Sequence, residues 1–264
     1  MPELAEVEYH RKIWNPGLGC RIVRAQVNAR ARVFRGEPVE AFVPALQGAI
    51  YQDSVAHGKQ MLLRFSRQIW LGVHLGMSGE LLCLPADHLP QKHDHLVLFQ
   101  KAQTLVFRDP RMFGRLRLHQ GRQAPSWWSD LPPAPGSEDF QLTQVQSALA
   151  RHPKLPLKTL LLDQEYFPGI GNWMADEILW QLQWSPTRPA HAIAAAEQRR
   201  LHRVLQKISR QALAIIGETW DDPPRSWLFR HRWRAGGQCP RCRQGLSRAE
   251  LRGRTCCWCP QCQA

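Results

Sequence analysis

No stretch of about 18 consecutive apolar residues occurs anywhere in these 264 residues, so no segment is expected to span a membrane. The start has neither a basic n-region nor the apolar core of a secretory leader, which makes a cytoplasmic protein the expectation. No internal repeat is visible. Acidic residues are scarce: 22 Asp and Glu stand against 35 Lys and Arg, giving a net charge of +13 and a pI near 9.9. A surplus of that size favours a polyanionic partner, because each neutralised phosphate releases counterions; a basic surface kept for solubility is the weaker alternative. Cysteine is scarce as well until the end. Cys20 and Cys83 stand alone, and Cys239, Cys242, Cys256, Cys257, Cys259 and Cys262 crowd the last 26 residues. That distribution argues against a disulfide framework and for a metal.

What is present divides the chain by composition. A helix is expected over 3–14, halted by Asn15-Pro16-Gly17. From about 20 to 118, short β-rich runs (CRIVRAQV, QMLLRF, IWLGVHLGM, HLVLFQ, TLVFRD, GRLRLH) alternate with turns, the pattern of a sandwich or barrel. Residues 121–138 are rich in Pro and Ser and read as a linker. The stretch 142–218 reads as mostly helical, with a long run from about Ala192 to Ile216, and 239–262 as a separate small metal module. The expected architecture is therefore an α+β multidomain chain: a β-domain with an N-terminal helix over 1–120, a linker over 121–138, a helical domain over 139–220, and a connecting segment with a C-terminal metal module over 221–264.

Cys239-Pro-Arg-Cys242 and Cys259-Pro-Gln-Cys262, separated by sixteen residues, match a four-thiolate zinc ribbon with one structural ion. Cys256 also forms a C-x₂-C with Cys259, which leaves a second pairing open; the shared C-P-x-C form favours the outer pairs. Pro168-Gly169-Ile170-Gly171-Asn172 reads as a hairpin between two helices, with Asn172 near the N-terminus of the second. Unpaired backbone N–H groups and the helix dipole make such a turn a ready phosphate site, although glycines for close packing explain it too. HLGMSG (74–79) and DPRMFG (109–114) put Met77, Arg111 and Phe113 on Gly-flanked loops, where they suit insertion into a base stack or, more blandly, a core. KHDH (92–95) looks like a polar turn. The opening MPELAEVE sets Pro2 ahead of a helix, where proline is common. The sharper alternative removes Met1 and makes the secondary amine of Pro2 a reagent.

Taken in order, PELAEVE, HGK (57–59), HLGMSG, KHDH, DPRMFG, LLLDQ…GIGNWMADEIL and the terminal ribbon resemble the formamidopyrimidine-DNA glycosylase and endonuclease VIII family from end to end. The resemblance implies an N-terminal β-sandwich, a helix–two-turn–helix domain and a zinc finger, with damaged DNA as partner and the chain acting as a monomer in the cytoplasm, at the nucleoid. It implies that Pro2 attacks C1′ of the damaged nucleoside, with Glu3 as acid/base and Glu6 supporting it from the same helix face. By the same resemblance, Lys59 would hold the phosphate flanking the lesion and Arg254 would reach phosphate from the finger and assist δ-elimination. Asn172, His74 and His93 would contact DNA, and Met77, Arg111 and Phe113 would fill the vacated stack.

Three departures stand out. Ala5 and Met112 replace a proline and an arginine usual in the family. The segment GETWDDPPRSWLFRHRWRAGGQ stands where a longer, glycine-rich loop closes over oxidised purines in some members. Its alternation of Trp227, Phe229 and Trp233 with Arg230, Arg232 and Arg234 suits either stacking on bases or a strand packing the finger. The expected activity is a bifunctional DNA glycosylase and AP lyase of base excision repair, with oxidised pyrimidines, hydantoins or single-strand lesions favoured over 8-oxoguanine. The rivals are a non-catalytic lesion sensor on the same scaffold and an RNA- or ribosome-associated zinc-ribbon protein.

Overall fold

The computed structural model describes residues 1–263. Two compact units divide the chain: Met1–Pro2 with Glu6–Leu131, and Glu3–Ala5 with Pro132–Ala264. Helix α1 (Leu4–Ile13) opens the chain and ends before a 3₁₀ turn at Asn15–Gly17, where the proline stops it.

In the first unit, β1 (Arg24–Val27), the short helix α2 (Phe42–Leu46), β2 (Tyr51–His57), β3 (Gln60–Phe65), β4 (Ile69–His74), β5 (Glu80–Pro85), β6 (Asp94–Phe99), β7 (Gln103–Arg108) and β8 (Arg115–Gln120) follow in order. They form two four-stranded antiparallel sheets, ordered β1-β6-β7-β5 and β2-β3-β4-β8. Met61, Leu63, Phe65, Leu71, Val73 and Leu116 of one sheet share a core with Leu81, Leu96, Leu98, Leu105 and Phe107 of the other. Alternation therefore sends Gln60, Gly72, His74, Arg115 and Arg117 to the outer face of the second sheet. The expected sandwich is what forms. A four-residue helix, α3 (Ser126–Ser129), follows within the Pro- and Ser-rich stretch.

The second unit is built on α4 (Leu142–Arg151), α5 (Leu157–Leu161), α6 (Asn172–Leu182) and the 25-residue α7 (Ala195–Thr219). Helix α6 is buried along nearly its whole length, including Asp176 and Glu177; α7 and α5 pack against it, and α4 packs on α7. The chain ends in a hairpin of β9 (Ser247–Leu251) and β10 (Arg254–Trp258). Arg252 and Gly253, with φ of +49° and +76°, make its two-residue turn, the left-handed pair that a tight antiparallel hairpin requires. Among the described residues, no helix is long and apolar enough to cross a membrane.

Candidate nucleic-acid interface and catalytic residues

In the first unit, the β2–β3 hairpin turns on Gly58 (φ +59°) and presents Lys59 next to the Gln60–His74 pair of the β3–β4 ladder. His74 is mostly buried. Burial lowers its pKa to about 4, and the charges of Lys59, Arg35 and Arg117 push the same way, so the ring is neutral at pH 7. The Gly76 N–H donates to Nδ1 at 3.0 Å, which assigns the proton to Nε2 and leaves that nitrogen a donor. One consequence is measurable. Between pH 6.5 and about 4 the unfolded chain binds a proton that folded His74 refuses, so its contribution to stability is present above 6.5 and lost as pH falls through that window. The limit is about 3 kcal/mol at 1.36 kcal/mol per pH unit. His10, also lowered to about 4 by burial, adds a second such group. His74→Gln is therefore expected to make the loss in urea midpoint between pH 7 and 5 distinctly smaller than in wild type; an unchanged pH dependence would count against a neutral His74.

The HLGMSG and DPRMFG loops are fastened to each other. Asp109, fully buried, accepts from Ser78 Oγ (2.6 Å), the Arg111 amide (3.2 Å) and the Gly114 amide (2.7 Å). Gly76 (φ +64°) lies so close to the backbone of Phe113 and Gly114 that any Cβ there would collide with it. Arg35 donates to the carbonyls of Gly114 (2.6 Å) and Phe113 (3.4 Å). On these loops Met77 is 43% exposed and Phe113 44%, with the Arg111 guanidinium 5.0 Å from the Phe113 ring centroid. Neither apolar side chain is core. Both are held out on backbone that has little freedom to retract. His93, half-buried, accepts the Asp109 amide through its carbonyl at 3.1 Å, and its neighbour His95 holds the Asp109 carbonyl at 2.9 Å. KHDH thus starts β6 and braces the second loop. Pro2 is half-buried just ahead of α1, and Glu6 is half-buried in its first turn.

In the second unit, Glu3 is 4% exposed and accepts the Trp173 and Met174 amides at 2.9 and 3.1 Å. The carboxylate thus occupies the N-terminus of α6, and any Cβ at Gly171 would strike it. Two of the amides expected to be open to phosphate are therefore taken by Glu3, while Asn172 stays half-buried at the first helical position. Beneath it lies a buried ionic cluster. Asp176 pairs with Lys158 (2.6 Å) and Arg232 (2.5 Å), and Lys158 also donates to the Asn172 carbonyl at 2.5 Å. The Cys257 amide donates to Asp176 at 3.2 Å, and the Cys256 thiol lies 3.5 Å from it. Burial and the Asp176 charge push the Cys256 thiol up to about 12 and Cys257 to about 11, so neither is a thiolate at pH 7.

Cys239, Cys242, Cys259 and Cys262 bring four sulfurs within 4.8 Å of one another, with pairs at 3.4 and 3.9 Å. A Zn–S bond of about 2.3 Å gives a tetrahedron edges of about 3.8 Å, so the donor set fits this ion. Burial works against the Cys239 thiolate, but the amides of Cys242 and Arg241 and the Trp180 indole N–H outweigh it and bring that thiol down to about 7. Arg254 is exposed where β10 begins.

The Trp/Arg segment is neither a strand nor a freely exposed stacking platform. Residues Leu228–His231 form a 3₁₀ turn, Trp227 is buried, and Phe229 sits edge-on to Trp173 at 4.9 Å. Arg232 is consumed by Asp176, and Trp233 is left 54% exposed. Asp109, Arg35 and Asp176 were not singled out by sequence. Arg35 and Asp176 meet partners from far along the chain, and Asp109 joins its own loop to Ser78 of the other; only the DPR tripeptide hinted at a loop-bracing aspartate.

Residues 1–116 match the family described as Formamidopyrimidine-DNA glycosylase N-terminal domain, and residues 131–222 match Formamidopyrimidine-DNA glycosylase H2TH domain. The formamidopyrimidine-DNA glycosylases of Roseiflexus sp. (strain RS-1) and Laribacter hongkongensis (strain HLHK9) are 36% and 35% identical, over 278 and 274 residues, each alignment covering 100% of both chains. Among solved structures, MutM in complex with DNA containing carbocyclic 8-oxo-G superposes with a TM-score of 0.89 at 26% identity, covering 100% of each chain. Lactococcus lactis Fpg in complex with DNA containing an oxidised pyrimidine gives 0.88 at 25% identity, covering 99% of each. With family matches over both units and relatives aligned end to end, the chain belongs to the formamidopyrimidine-DNA glycosylase family.

Proposed function

We propose that the chain excises a damaged base through the amine of Pro2 and then cuts the strand by β,δ-elimination. The class of activity follows from the family: a DNA glycosylase of base excision repair with AP-lyase activity, acting on damaged DNA. In the first step the Pro2 nitrogen bonds to C1′, the glycosidic bond breaks, and the base leaves with the electron pair and a proton. The acid/base at the sugar is Glu3, with Glu6 in support. Lys59, His74, His93, Asn172 and Arg254 hold phosphates, and zinc on the four cysteines fixes the hairpin that carries Arg254. Met77, Arg111 and Phe113 enter the gap left by the flipped nucleotide. The observation that carries this reading is that two apolar side chains are displayed on loops stapled by Asp109, Ser78 and Arg35. What sets these two apart from other exposed apolar side chains is that braced backbone, which suits insertion into a base stack.

Oxidised pyrimidines and hydantoins are the preferred lesions, because the 221–238 segment turns Trp227 and Phe229 inward. The nucleoid is where such a substrate lies. Borohydride trapping on a duplex with an abasic site, followed by mass mapping, tests the mechanism. A covalent adduct on Pro2 at the mature N-terminus is the expected result. No adduct, with Met1 shown to be removed and binding intact, would move the chain to the sensor reading. Chelating the zinc is expected to weaken DNA binding while the β-sandwich keeps its fold; apo protein binding damaged duplex as tightly would remove the finger from the interface.

A further inference from the structure

The outer face of the second sheet carries a cavity of about 270 Å³ that His74 and Phe113 share with Arg35, Arg115, Arg117 and Trp127, four residues to which the mechanism above gives no part in holding DNA. Its floor is the Gln60–His74–Arg115 row and the Gly72–Arg117 row of the β3-β4-β8 ladder. Arg35 closes one side, Phe113 stands at the rim, and Trp127 from α3 forms a wall. That wall is fitted to its place: the tip of the Trp127 ring rests on Gly72, where any Cβ would collide with it. The Arg117 guanidinium lies 5.1 Å from the ring centroid.

The charge in this cavity is unbalanced. Arg35, Arg115 and Arg117 converge on it, and Lys59 is near enough to depress His74. Two carboxylates oppose this charge: Glu37, 3.8 Å from Arg115, which also accepts the Leu118 amide, and the buried Asp109, which acts on Arg35. Arg117 makes no hydrogen bond or ion pair among the described residues, and Arg115 Nε is buried without a hydrogen-bond partner. Burial first, then the neighbouring guanidinium groups, lowers the pKa of both Arg35 and Arg117. His74 adds a neutral Nε2–H donor at the same place. The Arg115 and Arg117 forks, kept together at this cost with unpaired donors, match the oxygens of a phosphate, and Arg35, anchored on the Gly114 and Phe113 carbonyls, adds its charge beside them. The volume admits a phosphate with part of its sugar.

The geometry points to a phosphodiester site: Arg35, Arg115 and Arg117, walled by Trp127, hold one backbone phosphate of the DNA strand that runs past Phe113. This rests on the reading of Phe113 as an inserted residue. A phosphate fixed beside it sets the register of the duplex against the wedge, and α3 becomes part of the interface. A free phosphate or mononucleotide has the same chemistry and is the competing occupant.

The test uses full-length protein and a duplex with one reduced abasic site, titrated between about 50 and 200 mM salt. For the Arg115→Gln/Arg117→Gln double variant, affinity is expected to fall about tenfold. The slope of log K against log salt should become shallower by about 0.9 per lost phosphate contact. Scanning single methylphosphonates along the strand should reveal one position where neutralisation weakens wild type and leaves the double variant unaffected. Arg117→Gln alone, which breaks no hydrogen bond or ion pair in the free protein and loses only the contact with the Trp127 ring, supplies the same readouts should the double variant fail to fold, and Arg117→Lys should recover most of the slope. An unchanged slope, or a methylphosphonate profile identical in both proteins, overturns the proposal. Wild type that binds inorganic phosphate or a nucleoside monophosphate in the presence of saturating DNA, without competition, also overturns it and gives the cavity to a free ligand. Borohydride trapping of wild type is run alongside: trapping without a slope change removes only the pocket, and absence of trapping removes the enzymatic reading itself.

Discussion

Pro2→Gly is expected to cut strand cleavage about 100-fold while damaged-duplex affinity stays within a few-fold of wild type. The nucleophile must be partly neutral at working pH. An α-amine with a pKa of about 8 is neutral in roughly a tenth of molecules at pH 7, whereas a lysine near 10.4 almost never is. Glycine keeps an α-amine once Met1 is removed, so the chemistry is not deleted. What is lost is the pyrrolidine ring, which fixes φ and aims the nitrogen ahead of a helix that begins only two residues later. Displacing a nucleophile by about 1 Å costs on the order of 100-fold. Binding should survive because Met77, Arg111 and Phe113 are positioned by Asp109 and Arg35, not by the N-terminus. Single-turnover cleavage and a titration on a non-cleavable duplex separate the two quantities. Equal cleavage by the glycine variant would end the assignment of Pro2.

The sequence revealed most of the secondary structure where side chains alternate or repeat. QMLLRF coincides with β3, HLVLFQ and TLVFRD cover most of β6 and most of β7, and NWMADEILWQLQ contains α6. The two sandwich strands that escaped, β2 and β5, are sheet edges. YQDSVAH of β2 is largely exposed and polar after Tyr51, so it lacks the two-sided pattern that marks a strand. The stretch 121–138 read as linker because Pro and Ser dominate it, yet Trp127 finds a seat on Gly72, a pairing that only the folded sheet creates. The HLGMSG and DPRMFG motifs were legible because glycines flank their loops. The groups that hold those motifs in place were not. Asp109, Asp176 and Lys158 look like ordinary surface charges until the chain returns their partners from far along the sequence.

Asp176→Ala is expected to destabilise the unit formed by Glu3–Ala5 and residues from Pro132 onward by about 3–5 kcal/mol. Two cations share this carboxylate: Lys158, 1% exposed in its side chain, and Arg232, 4% exposed. Removing it leaves both charges buried with no counterion, and it also strips the acceptor from the Cys257 amide. The cost comes from stranded charge, not from the worth of the pairs, so a compensated variant discriminates. Replacing Lys158, Asp176 and Arg232 together by Met, Leu and Met should recover most of the stability, since apolar groups of similar volume need no partner. Urea unfolding of protein loaded with zinc, followed by metal release to a chromophoric chelator, reads the cluster where it touches the β10 strand. A loss below about 1 kcal/mol for Asp176→Ala would mean that water reaches Lys158 and Arg232 and that the cluster is a surface feature. The Lys158 bond to the Asn172 carbonyl extends the consequence to DNA. Asp176→Ala protein that still folds should bind duplex more weakly at Asn172, whereas the all-apolar triple variant, lacking Lys158, should regain stability without regaining that affinity. A triple variant restored in both would show that Asn172 is held by the helix alone.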